Sequence, residues 1–155
     1  MRKPVVCSRP QVLLVEDNPG DVRLFREALR WAHLEYDLHG AADGAQAMSF
    51  LHPPAPMPAR KPDLIVLDLN LPRVSGRELL ENIRCCREHH DVTLVVLTSS
   101  AGERESLLEA GVLPEAYFVK PDGFSELVDV VKTIDLFRQS RAQRAVQAQH
   151  EGMAP

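Results

Sequence analysis

Aliphatic residues in this chain come in short bursts, and between the bursts they return at helical spacing. Gln11 to Val15 (QVLLV) is such a burst, followed by the turn-forming Asp17-Asn18-Pro19-Gly20 and then by Val22, Phe25, Leu29 and Ala32 on one helical face. The pattern predicts strand, turn, helix. The same alternation predicts strands at Tyr36 to Ala41, Leu64 to Leu67, Thr93 to Leu97 and Ala116 to Val119, and helices at Ala45 to Leu51, Glu78 to Cys86 and Glu103 to Ala110. A last helix carries Phe124, Leu127, Val131 and Ile134 as its stripe.

Strands alternating with helices imply a parallel sheet with helices on both faces, because right-handed crossovers lay each helix over the strands. The runs LIVL and LVVL are apolar at successive positions, as burial on both faces requires. The expectation is an α/β, doubly wound, five-stranded parallel sheet. His52 to Pro62 holds five of the twelve prolines and reads as an enlarged loop within one domain, since a boundary there would strand two strands without a sheet. Residues 1–9 are expected to be a flexible N-terminus, 10–139 the folded domain and 140–155 a helical extension and tail, with 148–155 mobile.

With 155 residues, 45% hydrophobic and 26% charged, the composition is that of one globular domain. No apolar run approaches the roughly 18 residues of a membrane helix, and MRKPVVCSRP lacks the apolar centre of a signal peptide, so a cytoplasmic location is expected. Cys7, Cys85 and Cys86 form neither a C-x-x-C pair nor a disulfide framework. A net charge of -4 argues against a nucleic-acid coat.

In open α/β sheets chemistry collects beyond the carboxyl ends of the strands. There stand Glu16 and Asp17 after the first strand, Asp68 after the third, Thr98 and Ser99 after the fourth and Lys120 after the fifth. Each alone is explicable as a cap, as β-branched packing or as a solvated charge. Three carboxylates crowded together need positive charge among them, and an all-oxygen set with no twelve-residue calcium loop suits Mg2+.

These residues, in VLLVEDNP (12–19), LIVLDLNLPRVSG (64–76), VVLTSS (95–100) and YFVKP (117–121), resemble the receiver domain of two-component response regulators over about residues 10–139. The resemblance implies a flavodoxin-like fold with strand order 2-1-3-4-5. It implies that Asp68 accepts a phosphoryl group from a sensor histidine kinase, and that Glu16, Asp17, Asp68 and the Asn70 carbonyl hold Mg2+. Thr98 and Lys120 would contact the phosphoryl oxygens, with a cis peptide before Pro121 aiming the ammonium. Thr98 and Tyr117 would form the switch, while Asn70 and Ser100 would tune dephosphorylation. Such a chain is a phosphoacceptor that promotes its own phosphorylation and dephosphorylation rather than an enzyme acting on a separate substrate. More narrowly, DNPGDVRLFREAL, the proline-rich insertion before the third strand, the DLNLPRVSG loop and VVKTIDLF resemble stand-alone regulators paired with phytochrome-type histidine kinases. Asp122-Gly123-Phe124 and Arg138 depart from that group.

Rival functions are weaker. A haloacid-dehalogenase-like phosphatase needs a general acid two residues after its nucleophile, and Asn70 is an amide. Neither G-x-x-x-x-G-K-[ST] nor G-x-G-x-x-G occurs. A receiver-like interaction module independent of phosphate is the alternative. Output is expected through the fourth helix, fifth strand and fifth helix as a homodimer, since Val130, Val131, Ile134 and Phe137 exceed one buried stripe, with no DNA-binding domain and no membrane contact. Arg23, Arg26, Glu27 and Arg30 on the first helix are assigned to kinase docking. Arg138, Arg141 and Arg144 read as a solvated helix end, with a docking tail as the other reading.

Overall fold

The computed structural model describes residues 9–109, 111 and 114–152. In chain order it contains β1 (Gln11–Val15), α1 (Pro19–Trp31), β2 (Asp37–Ala41), α2 (Gly44–Leu51) and β3 (Leu64–Leu67). These are followed by α3 (Gly76–Cys85), β4 (Thr93–Thr98), α4 (Glu103–Glu109), β5 (Ala116–Val119) and α5 (Phe124–Glu151). All strand pairs are parallel, in the order β2-β1-β3-β4-β5. This is the doubly wound parallel sheet that the alternation predicts, in the flavodoxin-like strand order that the resemblance implies.

Alternate residues of each strand face opposite layers, which divides the core in two. Leu13, Val15, Ile65, Leu67, Leu94 and Val96 pack against α2, α3 and α4 through Ala47, Leu51, Leu79, Leu80, Ile83 and Leu107. Val12, Leu14, Leu64, Val66, Val95 and Leu97 pack against α1 and α5 through Phe25, Ala28, Leu29, Val131 and Ile134. β3 and β4 are buried throughout, whereas the edge strands β2 and β5 are only partly covered.

Helix starts follow their caps. Asn18 Oδ1 accepts from the backbone N–H of Gly20 at 2.8 Å, and Pro19 fills the first turn, where a missing N–H costs nothing. Ser75 Oγ accepts from Glu78 N at 3.2 Å, so α3 begins at Gly76 rather than at Glu78. The proline-rich segment folds back on the end of α2, where Arg60 N donates to Leu51 O at 2.8 Å, and Asp63 N then donates to Gln11 O at 2.8 Å as β3 pairs with β1.

α5 differs most from expectation. It continues unbroken to Glu151, so residues 140–151 are helix and part of the expected mobile end is ordered into it. Residues 1–8 and 153–155, with Cys7, lie outside the described residues, as does Ala110. Arg138 pairs with buried Asp135 at 3.0 Å, and Arg141 reaches Glu115 at 3.3 Å and the Asp91 carbonyl at 2.9 Å. Arg141 therefore ties the helix to the segments ahead of β4 and β5, Arg138 is paired within the helix and lies over the Tyr36 ring, and only Arg144 fits a solvated end. On the apolar side, Val131 and Ile134 are fully buried and Val130 partly so, while Phe137 is 39% exposed. Leu136, at 63% exposure, is the larger uncovered residue and was not among those expected.

Candidate functional site

The parallel ladder runs one residue past the strand ends and thereby assembles the site. Glu16 N donates to Ala41 O at 2.9 Å, Asp68 N to Val15 O at 3.0 Å and Lys120 N to Thr98 O at 2.8 Å. Register alone thus brings Glu16, Asp68 and Lys120 to one edge, on side chains that start where the strands stop.

Lys120 Nζ lies 2.6 Å from Glu16 Oε2, 2.8 Å from Asp68 Oδ2 and 2.8 Å from Asp21 Oδ2. Glu16 and Asp68 are buried, at 6% and 4% exposure, while Asp17 is exposed at the mouth. One carboxylate oxygen from each of Glu16, Asp17 and Asp68 lies within 4.8 Å of the others. The remaining Asp68 oxygen, Oδ1, accepts from Asn70 N at 3.0 Å, and Glu16 Oε1 accepts from Asn18 N at 3.0 Å. Thus Asp68 and Glu16 are each held by a turn amide and by the ammonium.

Burial pushes Glu16 up to about 7, against the opposing hydrogen bond from Lys120. At Asp68 burial acts in the same upward sense, but the Lys120 and Asn70 hydrogen bonds outweigh it and hold the carboxyl below its ordinary range. Burial would lower Lys120, yet the carboxylates of Asp21, Asp68 and Glu16 outweigh it and raise the ammonium above its ordinary value. Asp68 is therefore an anion at neutral pH.

Thr98 is fully buried, and its Oγ1 accepts from Ser100 N at 3.3 Å. Asn70 Nδ2 donates to Ser99 Oγ at 3.1 Å and approaches Thr98 Oγ1 at 3.5 Å, so the loops after β3 and β4 are linked across the mouth. Tyr117 does not hang at the rim: its hydroxyl donates to the Ser100 carbonyl and its ring packs on the core beneath α4. Burial raises its phenol pKa.

Two corrections arise here. The cis peptide found among the described residues is Ala55–Pro56, so Lys120–Pro121 is trans. The bond from Lys120 N to Thr98 O sets the backbone, and the long side chain covers the rest without a cis bend. Asp21 belongs to the site although the helical reading passed over it. Its signal was an acid in the first turn of a helix that starts beside the acidic cluster, where the macrodipole favours an anion.

The donor set is oxygen only and converges without a nitrogen or sulfur ligand, which fits a hard divalent cation. A profile of the response regulator receiver domain matches residues 12–132. The chain belongs to that family. "Response regulator Rcp1" of Synechocystis is 34% identical over 127 residues, covering 81% of this chain and 86% of Rcp1. The phosphorylated cyanobacterial phytochrome response regulator RcpA superposes with a TM-score of 0.75 at 34% identity, over 86% of this chain and 96% of RcpA. The Mn2+-bound form of Rcp1 gives a TM-score of 0.70 at 33% identity, over 81% and 91% of the two chains. Glu16, Asp17 and Asp68 could thus hold a divalent metal in the acidic site, and among the described residues no helix is long and apolar enough to cross a membrane.

Proposed function

We propose that this receiver takes a phosphoryl group onto Asp68 from a phosphohistidine of a sensor histidine kinase and turns that event into a change of surface. The observation that carries the proposal is the buried, ionised Asp68 with Lys120 Nζ on one oxygen and the Asn70 amide on the other. In this reading residues 10–139 are the receiver and 140–155 a helical extension and tail, and the protein works in the cytoplasm with the kinase's phosphohistidine.

An Asp68 oxygen attacks phosphorus in line; the O–P bond forms as the N–P bond to the donor histidine breaks, and the imidazole leaves. A carboxylate is a weak nucleophile, so positioning and charge neutralisation do most of the work. Glu16, Asp17, Asp68 and the Asn70 carbonyl would hold Mg2+, which supplies positive charge to the phosphoryl oxygens. Lys120 is shared among three carboxylates and shifts toward the incoming oxygens. Thr98 donates its hydroxyl to one of them, giving up the Ser100 amide. That releases the loop whose carbonyl holds the Tyr117 hydroxyl, so Tyr117 repacks. Asn70 and Ser100 border the path of the water that later hydrolyses the acyl phosphate, so the receiver limits its own signal.

The likeness to RcpA and Rcp1 supports a phytochrome-type kinase as partner. Arg23, Arg26 and Arg30, exposed along α1, whose first turn lies at the acidic site, supply the docking charges together with half-buried Glu27. Output passes through the α4, β5 and α5 face as a homodimer.

The experiment is intact-mass analysis after incubation with acetyl phosphate or a candidate kinase, with Mg2+ or excess chelator. One phosphoryl group should appear with Mg2+, fail to appear in chelator and vanish in Asp68→Asn. Equal labelling of Asp68→Asn and wild type would remove Asp68 from the role.

A further inference from the structure

A second cluster lies away from the acidic site, where α2 and α3 end. His52 caps the C-terminus of α2 and Cys86 that of α3, while His89 sits in the turn before β4. Ligand-capable atoms of the three lie within 4.8 Å of one another. His52 Nε2 is 3.3 Å from Cys86 Sγ, and the His52 and His89 rings meet edge to face with centroids 4.8 Å apart.

His89 is the telling member. It is fully buried, and its Nδ1 is a buried side-chain atom without a hydrogen-bond partner among the described residues. Its Nε2 lies 2.5 Å from the Arg60 carbonyl oxygen, which can only accept, so in the neutral ring the proton sits on Nε2 and Nδ1 carries the free lone pair. Leaving such an acceptor unpaired in the interior is costly. An imidazole whose N–H is fixed by a backbone carbonyl while its other nitrogen is bare is the arrangement found in histidines that ligate metals.

We propose that His52, Cys86 and His89 form a binding site for a borderline transition-metal cation of the Zn2+ class, separate from the acidic Mg2+ site. Two imidazoles and a thiolate select such an ion over Mg2+. Tetrahedral Zn2+ with its usual bond lengths sets its ligands about 3.6 Å apart, close to the separation of His52 Nε2 and Cys86 Sγ. Glu88, whose Oε2 is 3.0 Å from Cys86 Sγ, or a water fills the fourth position. On binding, the Cys86 thiol loses its proton to solvent and the metal–sulfur bond forms, with no redox change. The ion would staple the ends of α2 and α3 together and, through the Arg60 carbonyl on His89, fasten the proline-rich segment to both.

The test uses metal-stripped full chain in a non-chelating reductant, with saturating Mg2+ to fill the acidic site and Co2+ as the probe. One equivalent of Co2+ should give the intense visible bands of a four-coordinate ion and a thiolate-to-cobalt charge-transfer band, both displaced by Zn2+. Cys86→Ser should abolish the charge-transfer band, Cys85→Ser should keep it, and His52→Ala should weaken Co2+ binding by more than about tenfold. Zn2+ should raise the thermal midpoint of wild type but not of Cys86→Ser, with circular dichroism confirming that the variants fold. Weak six-coordinate absorption alone, or a charge-transfer band that survives Cys86→Ser, would overturn the proposal.

Discussion

Glu16 and Asp68 are neighbours with opposite tendencies, one lifted to about 7 by burial and the other held low by its hydrogen bonds. In metal-free protein the folded state binds the Glu16 proton more tightly than the unfolded chain does. Its stabilising contribution is therefore complete below about pH 4.5, the unfolded value, and is lost as the pH rises through about 7. A shift of that size corresponds to something on the order of 3 kcal/mol. In chelator, urea midpoints of wild type should fall relative to those of Glu16→Gln between those two pH values; parallel pH profiles would show that Glu16 does not titrate there. Gly76 sets a second limit at this scale. A Cβ on it would sit 2.4 Å from Leu69 Cα and 2.6 Å from the Asp68 carbonyl oxygen, both rigid backbone. Gly76→Ala should cost about 1–3 kcal/mol by overpacking and slow acetyl phosphate labelling by displacing Asp68, as read by urea unfolding and mass spectrometry.

At the scale of elements, α5 is held by side chains as well as by its apolar stripe. Buried Asp135 accepts from Arg138 and from Gln139 Nε2 at 2.6 Å, and the Tyr36 hydroxyl ahead of β2 also donates to it. Glu115 ahead of β5 gathers Arg84 at 2.6 Å, the Leu94 amide at 2.6 Å and Arg141 at 3.3 Å. Removing one member of a buried ionic set leaves its partners uncompensated. Asp135→Ala should cost about 3 kcal/mol by urea unfolding, whereas Tyr36→Phe, which deletes one hydrogen bond, should cost about 1 kcal/mol. Equal losses would mean that Arg138 gains nothing from Asp135.

For the whole molecule, the α4, β5 and α5 side carries Leu108, Val119, Leu136 and Phe137, exposed by 53%, 46%, 63% and 39%. Phe137 packs edge-on against Phe118 with ring centroids 6.3 Å apart while leaving 39% of its surface exposed. A two-fold dimer would bury the same patch twice. Sedimentation at tens of micromolar, about the weak end of biological association, should show a dimer strengthened by beryllofluoride, and Phe137→Asp should be monomeric. A wild-type monomer in every state would remove the dimer, and a dimeric Phe137→Asp would move its interface to another face.

The sequence by itself determined the sheet and the main site residues, because both depend on short-range pattern. LIVL and TLVVLT are apolar at every or nearly every position, which only a strand covered on both faces satisfies, and Glu16, Asp68 and Lys120 each follow a strand directly. Once the strands pair in parallel, those residues have nowhere else to go. Tertiary structure decided what depends on packing between distant segments. Asp21 joins Lys120 across 99 residues, the Tyr117 hydroxyl is claimed by a carbonyl rather than by water, and Lys120 reaches its partners through a trans peptide. Arg138 and Arg141 look like a solvated helix end until the Tyr36 ring and Glu115 meet them. His52, Cys86 and His89 share no periodicity, since two stand just past helix ends and one in a turn. Periodicity reports which face of an element is covered, while such meetings are set by where separate elements end in space.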